Sequence, residues 1–351
     1  MTIDYERIVN EQKEELADYD YDAVMPRAAE SEFDFGSPLA QIVIGVRRCG
    51  KSSLCHGALH RAGIRYAYVD FDDEALRSAT ADDLNPLLEA LYVAYGDFTH
   101  LLLDEIQNVD GWHLFVNRLL RRKMHVVVTG SNARLLSSEL ATHLTGRYHA
   151  IELLPFSFSE YRRLLSRGPA LTTRTIAECK RDLAAYSARG GLPEVASMRD
   201  PRAYVKSLYD SILLRDIVGR HKIRNPRMLL DVAELLVRNY ARETNPAAIA
   251  RAVGAGSVHT VLNYELYLRQ AYLLMELRKY SRKPVRRIRN AKTYVVDPGF
   301  ISHFRGVDAD GENLGWRLEN LVFLELNRRS SEEDFSLHYW RENDRETDFV
   351  L

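Results

Sequence analysis

A short motif near residue 45 constrains this chain more than any other feature. Gly45, Gly50, Lys51 and Ser52 occupy the fixed positions of the pattern Gly-x-x-x-x-Gly-Lys-Ser, directly after an apolar run. The residues that follow, 53–62, predict a helix. A strand, a glycine-rich loop and a helix in this order form a phosphate-binding loop, whose backbone N–H groups face phosphate oxygens. The motif therefore predicts an α/β fold that binds a nucleotide at this loop.

The residue types in the loop assign a role to each part of it. Lys51 would reach the β- and γ-phosphates, and the Ser52 hydroxyl would bind Mg²⁺. The positive end of the following helix dipole adds to the attraction for phosphate. We therefore predict ATP and Mg²⁺ as cofactors, held by Gly45, Val46, Arg47, Arg48, Cys49, Gly50, Lys51, Ser52 and Ser53. The alternative is a glycine turn beside an exposed lysine.

A run of leucines ends in two acidic residues, Asp104 and Glu105. A buried strand that ends in this way delivers carboxylates to the edge of a sheet, although apolar strands often end in aspartate for other reasons. Asp104 is predicted to hold Mg²⁺ directly or through water, and Glu105 to orient and polarise the attacking water. One carboxylate for the metal and one for water is what hydrolysis requires, so the two motifs together predict an ATPase.

Two later positions are candidates for contact with the transferring phosphoryl group. The apolar strand 125–130 is followed by Ser131 and Asn132, and we predict that Asn132, or else Ser131, senses the γ-phosphate. A helix N-cap is the alternative for both. Arg147 directly precedes the next strand. It would either complete the site of a neighbouring subunit in a ring or pair locally, and the sequence leaves both open.

Composition restricts the class of protein. The 351 residues, 46% hydrophobic and 28% charged, are typical of a globular protein with more than one domain. No apolar run is long enough to span a membrane, and the N-terminus does not resemble a signal peptide. The three cysteines have neither disulfide-framework nor metal-site spacing, so we expect a cytoplasmic protein. The net charge of −1 limits any nucleic-acid binding to a local patch.

The C-terminal half contains a pattern of its own. A short helix over 245–253, a glycine turn and a long helix over Ser257–Leu277, with Ser257 as N-cap, indicate a helix-turn-helix. Residues 278–292 then carry eight basic side chains and no acidic one, which predicts a winged helix with a basic hairpin. The candidates for contact with double-stranded DNA are Arg282, Lys283, Arg286, Arg287, Arg289 and Lys292. A winged helix used for protein packing is the alternative.

The order of these motifs resembles the AAA+ superfamily, specifically the prokaryotic ATPases with a C-terminal domain of uncharacterised function. Besides the motifs above, the similar segments are Thr-Gly-Ser-Asn at 129–132, Gly-Arg at 146–147, Leu-Pro-Phe-Ser-Phe-Ser-Glu-Tyr at 154–161, Gly-Gly-Leu-Pro-Glu at 190–194, Leu-Arg-Asp-Ile at 214–217 and Lys-Thr-Tyr-Val-Val-Asp-Pro-Gly at 292–299. They span nearly the whole chain. The resemblance implies a parallel-sheet core and a helical lid, and it leaves open whether the chain forms homo-oligomers.

The last segment, Trp316–Leu351, is similar to the front half of a PD-(D/E)xK nuclease-like fold. Glu319 and Asp348 match its acidic positions. That chemistry also needs a lysine on a following strand to activate water, and the sequence ends before such a strand. We therefore expect no DNA cleavage by this route, and a chain that is a fragment of a longer protein.

The predicted fold is α/β. It comprises a P-loop AAA+ core with a lead-in (1–156), a helical lid (157–226), a winged helix (227–305) and an incomplete restriction-endonuclease-like end (306–351). The predicted function is Mg²⁺-dependent ATP hydrolysis to ADP, coupled to a conformational change in a DNA-interacting C-terminal half. The alternative is a nucleotide-gated DNA- or partner-binding switch with negligible turnover.

Overall fold

The computed structural model describes residues 3–131, 144, 146–281, 291–305, 314–343 and 345–351. Six predicted site residues lie outside this range: Asn132, Arg282, Lys283, Arg286, Arg287 and Arg289. The chain divides into two compact units, Met1–Gly45 with Cys49–Leu153, and Val46–Arg48 with Leu154–Leu351. In the described part of the chain, no helix is both long and apolar enough to cross a membrane.

A parallel sheet of five strands forms the centre of the first unit. Its strands are β1 (Ala40–Ile44), β2 (Tyr66–Asp70), β3 (His100–Asp104), β4 (His125–Gly130) and β5 (Tyr148–Glu152). They lie in the order β2-β3-β4-β1-β5, and every neighbouring pair is parallel. The continuous apolar runs of β1, β3 and β4 form these strands because a parallel sheet is buried on both faces. The predicted α/β fold is confirmed.

In the described part of this unit, four α-helices accompany the sheet: α1 (Tyr5–Ala17), α2 (Lys51–Arg61), α3 (Leu84–Tyr95) and α4 (Trp112–Arg121). In α4 the buried residues are Trp112, Phe115, Val116, Leu119 and Leu120. Their spacing of three and four places them on one face of the helix. The core of the unit therefore consists of the sheet and the apolar faces of these helices.

The strand order brings three loops of the first unit to one edge of the sheet. Gly45 follows β1, Glu105 follows β3 and Ser131 follows β4. Neighbouring parallel strands point the same way, so these loops leave from the same edge, where ligands bind in open α/β sheets. The strand order thus brings the residues predicted to bind phosphate and metal to the same edge of the sheet.

Helices dominate the second unit. They are α5 (Phe158–Leu164), α6 (Thr173–Arg189), α7 (Pro193–Ser197), α8 (Arg202–Ser211), α9 (Pro226–Arg238), α10 (Pro246–Ala252), α11 (Val258–Gln270), α12 (Pro298–Arg305) and α13 (Leu314–Glu332), with a π-helix over Ile212–Gly219. The strands β6 (Arg242–Glu243), β7 (Leu274–Arg278) and β8 (Ala291–Val295) form an antiparallel sheet in the order β6-β8-β7. The strands β9 (His338–Glu342) and β10 (Arg345–Val350) form an antiparallel pair.

The predicted long helix Ser257–Leu277 is wrong in its last third. Its N-cap is confirmed, because the Ser257 hydroxyl accepts the backbone N–H of His259 at 3.1 Å. The helix α11 ends at Gln270, however, and the residues from Leu274 onward form β7. The chain leaves the helix at Tyr272, which has a left-handed φ of 55°. Glycine usually takes this conformation at a helix end, and the sequence has no glycine here to indicate one.

Candidate functional site

The loop after β1 has the backbone geometry that its glycines predict. Gly50 has a φ of 94°, a left-handed conformation that glycine adopts at little cost. At Gly45 a Cβ atom would collide with the carbonyl oxygen of Leu153, so no larger residue fits. The helix α2 begins at Lys51, directly after Gly50. Its first N–H groups have no intrahelical acceptor and can bind an anion.

Lys51 is buried, with only 5% of its side chain exposed. Its Nζ lies 3.5 Å from Glu105 Oε1 and 3.4 Å from the carbonyl oxygen of Gly45. Burial acts to lower the pKa of Lys51, but the charges around it, chiefly that of Glu105, raise the pKa above its usual value. The lysine is therefore positively charged at neutral pH, as a phosphate ligand must be.

Asp104 is the last residue of β3 and is 3% exposed. The hydroxyls of Ser52 and Thr129 both donate hydrogen bonds to its carboxylate. Burial raises the pKa of Asp104, and the neighbouring charge of Glu105 adds to this, although the hydroxyls and Lys51 act in the opposite direction. A bound cation would stabilise the ionised form. The oxygen atoms of Ser52 and Asp104 are the hard ligands that Mg²⁺ prefers, so the donor set fits this metal.

Glu105 follows β3 in a strained conformation, with φ 52° and ψ 34°. A residue other than glycine in the left-handed region costs free energy, and such residues cluster at functional sites. The backbone N–H of Glu105 donates to Thr129 Oγ1 at 3.0 Å, and its carboxylate accepts a hydrogen bond from Gln107. Its side chain is 17% exposed. The carboxylate is therefore held in place and still reaches solvent, which suits a group that orients water.

Thr129 is the site residue that the sequence analysis missed. It is fully buried in β4, next to β3. Its hydroxyl donates to Asp104 and accepts the N–H of Glu105. One side chain thus fixes the positions of both acids. The sequence feature that could have indicated this role is the single hydroxyl side chain within the apolar strand 125–130.

The predicted sensor position lies at the end of the same strand. Ser131 follows β4 and is 3% exposed, whereas Asn132 is outside the described residues. The sensor role of this pair stays a prediction. Arg147 is exposed and precedes β5, and its carbonyl oxygen accepts the N–H of Ala40 at 3.1 Å. Its contact with a neighbouring subunit also stays a prediction.

The end of the loop is supported by the N-terminal segment of the chain. Cys49 is fully buried, and its carbonyl oxygen accepts a hydrogen bond from Arg27 Nη1 at 3.1 Å. Arg27 is itself only 8% exposed. Burial raises the pKa of the Cys49 thiol, so it stays protonated at neutral pH. Ser53 is half-buried in the first turn of α2. The hydrogen bond from Arg27 therefore holds the end of the loop against the N-terminal segment.

Residues Val46–Arg48 belong to the second unit. The side chains of Arg47 and Arg48 bind acidic residues of that unit. Arg47 makes two contacts with the buried carboxylate of Asp216, from Nε at 3.2 Å and from Nη2 at 3.4 Å. Arg48 Nη1 lies 3.2 Å from Glu194 Oε1. The predicted contribution of these residues to phosphate binding therefore rests on their backbone N–H groups.

Asp216→Asn is expected to weaken ATP binding about tenfold, because small displacements of a binding loop have effects of this size or larger. The substitution removes the charge that holds Arg47 while it keeps the shape of the side chain. Titration with a fluorescent ATP analogue measures the effect. Asp231→Asn, at an exposed position of α9, is the matched control and is expected to bind normally. Equal affinity in the two variants would contradict this role of Asp216.

Lys292 was predicted to contact DNA phosphates, and its position does not fit that role. It is 3% exposed, and its Nζ lies 2.8 Å from Glu319, 2.5 Å from Glu346 and 2.9 Å from Asp348. Tyr294 also donates to Glu319, at 2.7 Å. The lysine ammonium thus neutralises a group of carboxylates instead of facing solvent.

The same cluster unites Glu319 and Asp348, the two acidic positions of the nuclease-like pattern. They meet around the Lys292 ammonium, which occupies the centre of the carboxylates. Among the described residues, no group of three His, Cys, Asp or Glu side chains is arranged to hold a metal ion. The cluster therefore has the composition of an ion-pair network that joins β8, α13 and β10.

Lys292→Met is expected to lower the free energy of unfolding by about 2–4 kcal/mol, because it leaves carboxylates together without their counter-charge. Urea denaturation followed by circular dichroism measures this change. Lys206→Met is the matched control, since Lys206 is 64% exposed and pairs with Asp210 on the same helix. Its effect is expected to stay within about 0.5 kcal/mol. A similar small effect in Lys292→Met would show that the network adds no stability.

Two family models match the chain. Residues 37–162 match an AAA domain, and residues 180–311 match a domain of unknown function, DUF8612. The chain is 33% identical over 323 residues to MJ1544, an uncharacterized protein of Methanocaldococcus jannaschii. This match covers 89% of this chain and 71% of that protein. It is 32% identical over 325 residues to an uncharacterized protein of Haemophilus influenzae, with coverages of 88% and 78%.

Solved structures with a similar course of the chain have low sequence identity. The Walker-type ATPase PABY2304 of Pyrococcus abyssi has a TM-score of 0.47 and 15% identity, and the match covers 87% of this chain and 96% of that one. The Orc1 protein of Aeropyrum pernix, solved in complex with DNA, has a TM-score of 0.35 and 13% identity, with coverages of 86% and 93%. DnaA from Aquifex aeolicus, solved with AMPPCP, has a TM-score of 0.29 and 16% identity, with coverages of 67% and 83%.

Proposed function

The chain belongs to the same family as MJ1544 and the Haemophilus influenzae protein and carries an AAA domain, and from this premise we propose that it is a Mg²⁺-dependent ATPase. The AAA domain supports nucleotide binding and hydrolysis in general. One observation carries the specific proposal. A single network of contacts at one sheet edge joins Lys51, Ser52, Asp104, Glu105 and Thr129.

In this proposal the loop binds the triphosphate. Backbone N–H groups of residues 46–51 surround the phosphates, and Lys51 neutralises the β- and γ-phosphate oxygens. The Lys51 ammonium lies 3.5 Å from the Glu105 carboxylate. A bound γ-phosphate therefore competes with Glu105 for this ammonium. Nucleotide binding therefore releases the Glu105 carboxylate from an ion pair at the moment when it is needed for water.

Ser52 and Asp104 are the residues that would hold Mg²⁺. When bound, Mg²⁺ supplies positive charge to the phosphate oxygens. Burial keeps Asp104 in a low-dielectric position, where its charge acts strongly on its neighbours. Thr129 holds the Asp104 carboxylate in a fixed rotamer through its hydroxyl. Two protein oxygens are the usual number for this metal in nucleotide sites, where water and phosphate complete the shell.

Glu105 is the residue that would orient the attacking water and accept its proton. A general base must lie within hydrogen-bond reach of the proton that it removes. The left-handed backbone of Glu105 and its bond to Thr129 fix the start of the side chain beside the loop. The partial exposure of the carboxylate admits water.

Removal of magnesium tests the proposal. Phosphate release from ATP is measured with Mg²⁺ in excess and again after addition of EDTA, alongside binding of a fluorescent ATP analogue. We expect turnover with Mg²⁺ and release at the background rate in EDTA. Turnover that is equal in both conditions would contradict the roles of Ser52 and Asp104.

For the C-terminal half we propose a winged helix. The elements α9, β6, α10, α11, β7 and β8 follow the order helix, strand, helix, helix, strand, strand, and β8 pairs with both other strands. In α11 the exposed residues include the aliphatic row Val258, Leu262 and Leu266, and Arg269 is paired with Glu276. Few side chains on this helix can read base edges, so DNA contact in this proposal goes through phosphates.

A second candidate function follows, a nucleotide-gated switch that binds DNA or a protein partner. Its DNA form rests on the basic segment 282–289. Replacement of Arg286, Arg287 and Arg289 with alanine is expected to remove most DNA affinity and to reduce its salt dependence, because each phosphate contact releases counterions. Fluorescence anisotropy with a duplex at two salt concentrations measures this. Unchanged affinity for DNA would contradict the DNA-binding form of the switch, and the form that binds a protein partner would remain.

A further inference from the structure

A cavity of ≈ 330 Å³ in the second unit is lined by none of the residues of the proposed ATP site. Its walls come from the end of α6, the residues before α8, the start of α8, and Gly299, Ser302 and His303 of α12. The helix α12 packs against both α6 and α8, so three helices define its shape. The volume is at the lower end of the range for small-molecule sites, about 300–1,000 Å³.

The charged groups that line this cavity are mostly arginines. Arg189, Arg199 and Arg202 face one acidic residue, Asp200, and no lysine or glutamate takes part. Three guanidinium groups against one carboxylate leave a surplus of two positive charges. Asp200 is also engaged already, because its carboxylate accepts the backbone N–H of Arg202 at 3.2 Å and lies 3.9 Å from the Arg202 Nε.

Arg189 is the most firmly placed of the three arginines. Its Nη2 donates to the carbonyl oxygens of Val195 and Met198, which fixes the guanidinium plane. Its Nε is buried and has no hydrogen-bond partner in the described part of the chain. A buried N–H group without an acceptor costs free energy. The positive charge of this fixed guanidinium attracts an oxygen-rich anionic ligand in the cavity.

Two neutral groups add hydrogen-bonding capacity. The Ser302 hydroxyl accepts a bond from Arg317 Nη1 at 2.9 Å, which leaves its own proton to donate. Burial lowers the pKa of His303, so its imidazole is neutral at pH 7 and offers one N–H. Both residues line the cavity. The lining thus combines a net positive charge with two kinds of neutral hydrogen-bond donor, a hydroxyl and an imidazole N–H.

We propose that this cavity binds a small phosphate-bearing molecule through Arg189, Arg199 and Arg202. The planar guanidinium fork matches the oxygens of a phosphate in pairs, which an ammonium group does not. A surplus of two positive charges matches a phosphomonoester, which carries about −1.5 to −2 charge at pH 7, or a pyrophosphate group. The cavity contains none of the residues assigned to hydrolysis, so this site is separate from the ATP site of the proposed ATPase.

Pyrophosphate is the probe, titrated by calorimetry into the Lys51→Ala chain in the presence of a saturating non-hydrolysable ATP analogue, so that phosphate binding by the loop after β1 is weakened and its remaining capacity is occupied. We expect saturable binding at one site. Arg199→Gln and Arg202→Gln, both at exposed positions, are each expected to weaken it about tenfold, as loss of a charged hydrogen bond does. Arg174→Gln is the matched control, because Arg174 is 88% exposed on α6 and does not line the cavity.

Two results would overturn the proposal. One is the absence of saturable binding, and the other is equal affinity in Arg199→Gln and Arg174→Gln. A short DNA duplex is added as a competitor, and displacement of pyrophosphate by the duplex would reassign the arginines to a nucleic-acid backbone. Should Lys51→Ala fail to fold, unsubstituted protein saturated with a non-hydrolysable ATP analogue takes its place, and the same arginine variants are compared in it.

Discussion

Glu105→Gln is expected to lower ATP turnover about 100- to 10,000-fold, the usual contribution of a positioned general base, while the nucleotide still binds. Glutamine keeps the size of the side chain and its ability to accept a hydrogen bond from Gln107. It cannot accept a proton from water. The left-handed backbone at this position and its bond to Thr129 depend on the main chain, so the fold of the site should be retained.

The electrostatic consequences of this substitution have a definite sign. The Glu105 charge raises the pKa of both Lys51 and Asp104. Without it, Lys51 loses its ion-pair partner, and Asp104 loses one cause of its raised pKa. Both changes favour binding of a nucleotide with its metal, because the ammonium is released and the carboxylate ionises more readily. Affinity for ATP should therefore be equal to or higher than in the unsubstituted protein.

Phosphate release and binding of a fluorescent ATP analogue measure the two halves of this expectation. Glu89→Gln, at an exposed position on α3, is the matched control and should retain full turnover. Turnover in Glu105→Gln within about twofold of the control would contradict the general-base role, since loss of a base has a far larger effect. Loss of binding would indicate that the carboxylate has a structural role instead.

Thr129→Val is expected to lower turnover about 10- to 100-fold, as loss of an outer hydrogen bond to a metal ligand does, and to lower the free energy of unfolding by about 1–3 kcal/mol. Valine has nearly the shape of threonine, so the fully buried position stays filled. The change leaves one oxygen of Asp104 and the N–H of Glu105 without the partner that each has now.

Thr129→Ser separates the hydroxyl from the methyl group. Serine restores both hydrogen bonds and loses only packing, so we expect turnover close to that of the unsubstituted protein and a modest loss of stability. A positioning role predicts that the serine variant recovers turnover more completely than it recovers stability. Equal turnover in the valine and serine variants would contradict it. Phosphate release and urea denaturation of the three proteins make this comparison.

The predicted site residues that the structure brings together belong to local patterns. Lys51 and Ser52 stand at fixed distances from the loop glycines, and Asp104 and Glu105 end a single apolar strand. Contact between these two groups follows from one rule, that neighbouring parallel strands deliver their ends to the same edge. The sheet order places both β3 and β1 beside β4. Thr129, inside β4, is not found in this way, because its role depends on which strand is its neighbour.

The errors have a common physical cause, which is long-range contact. Lys292 belongs to a run of basic residues, and a local interpretation of such a run predicts a solvated surface. Its partners Glu319, Glu346 and Asp348 lie between 27 and 56 positions later in the chain. The same limit applies to the end of α11, where the tertiary structure turns Tyr272 into a left-handed conformation that its residue type does not predict. Asp216, the partner of Arg47, is 169 positions away from it.

The proposed ATPase activity is tested most directly by steady-state release of phosphate from ATP with Mg²⁺, measured for the unsubstituted protein beside Lys51→Ala. We expect release by the unsubstituted protein and only background release by the variant, because Lys51 is the one described lysine that lies buried between the loop and both acids. Equal rates in the two proteins, or no release by either, would contradict the claim that the edge built from β1, β3 and β4 hydrolyses ATP.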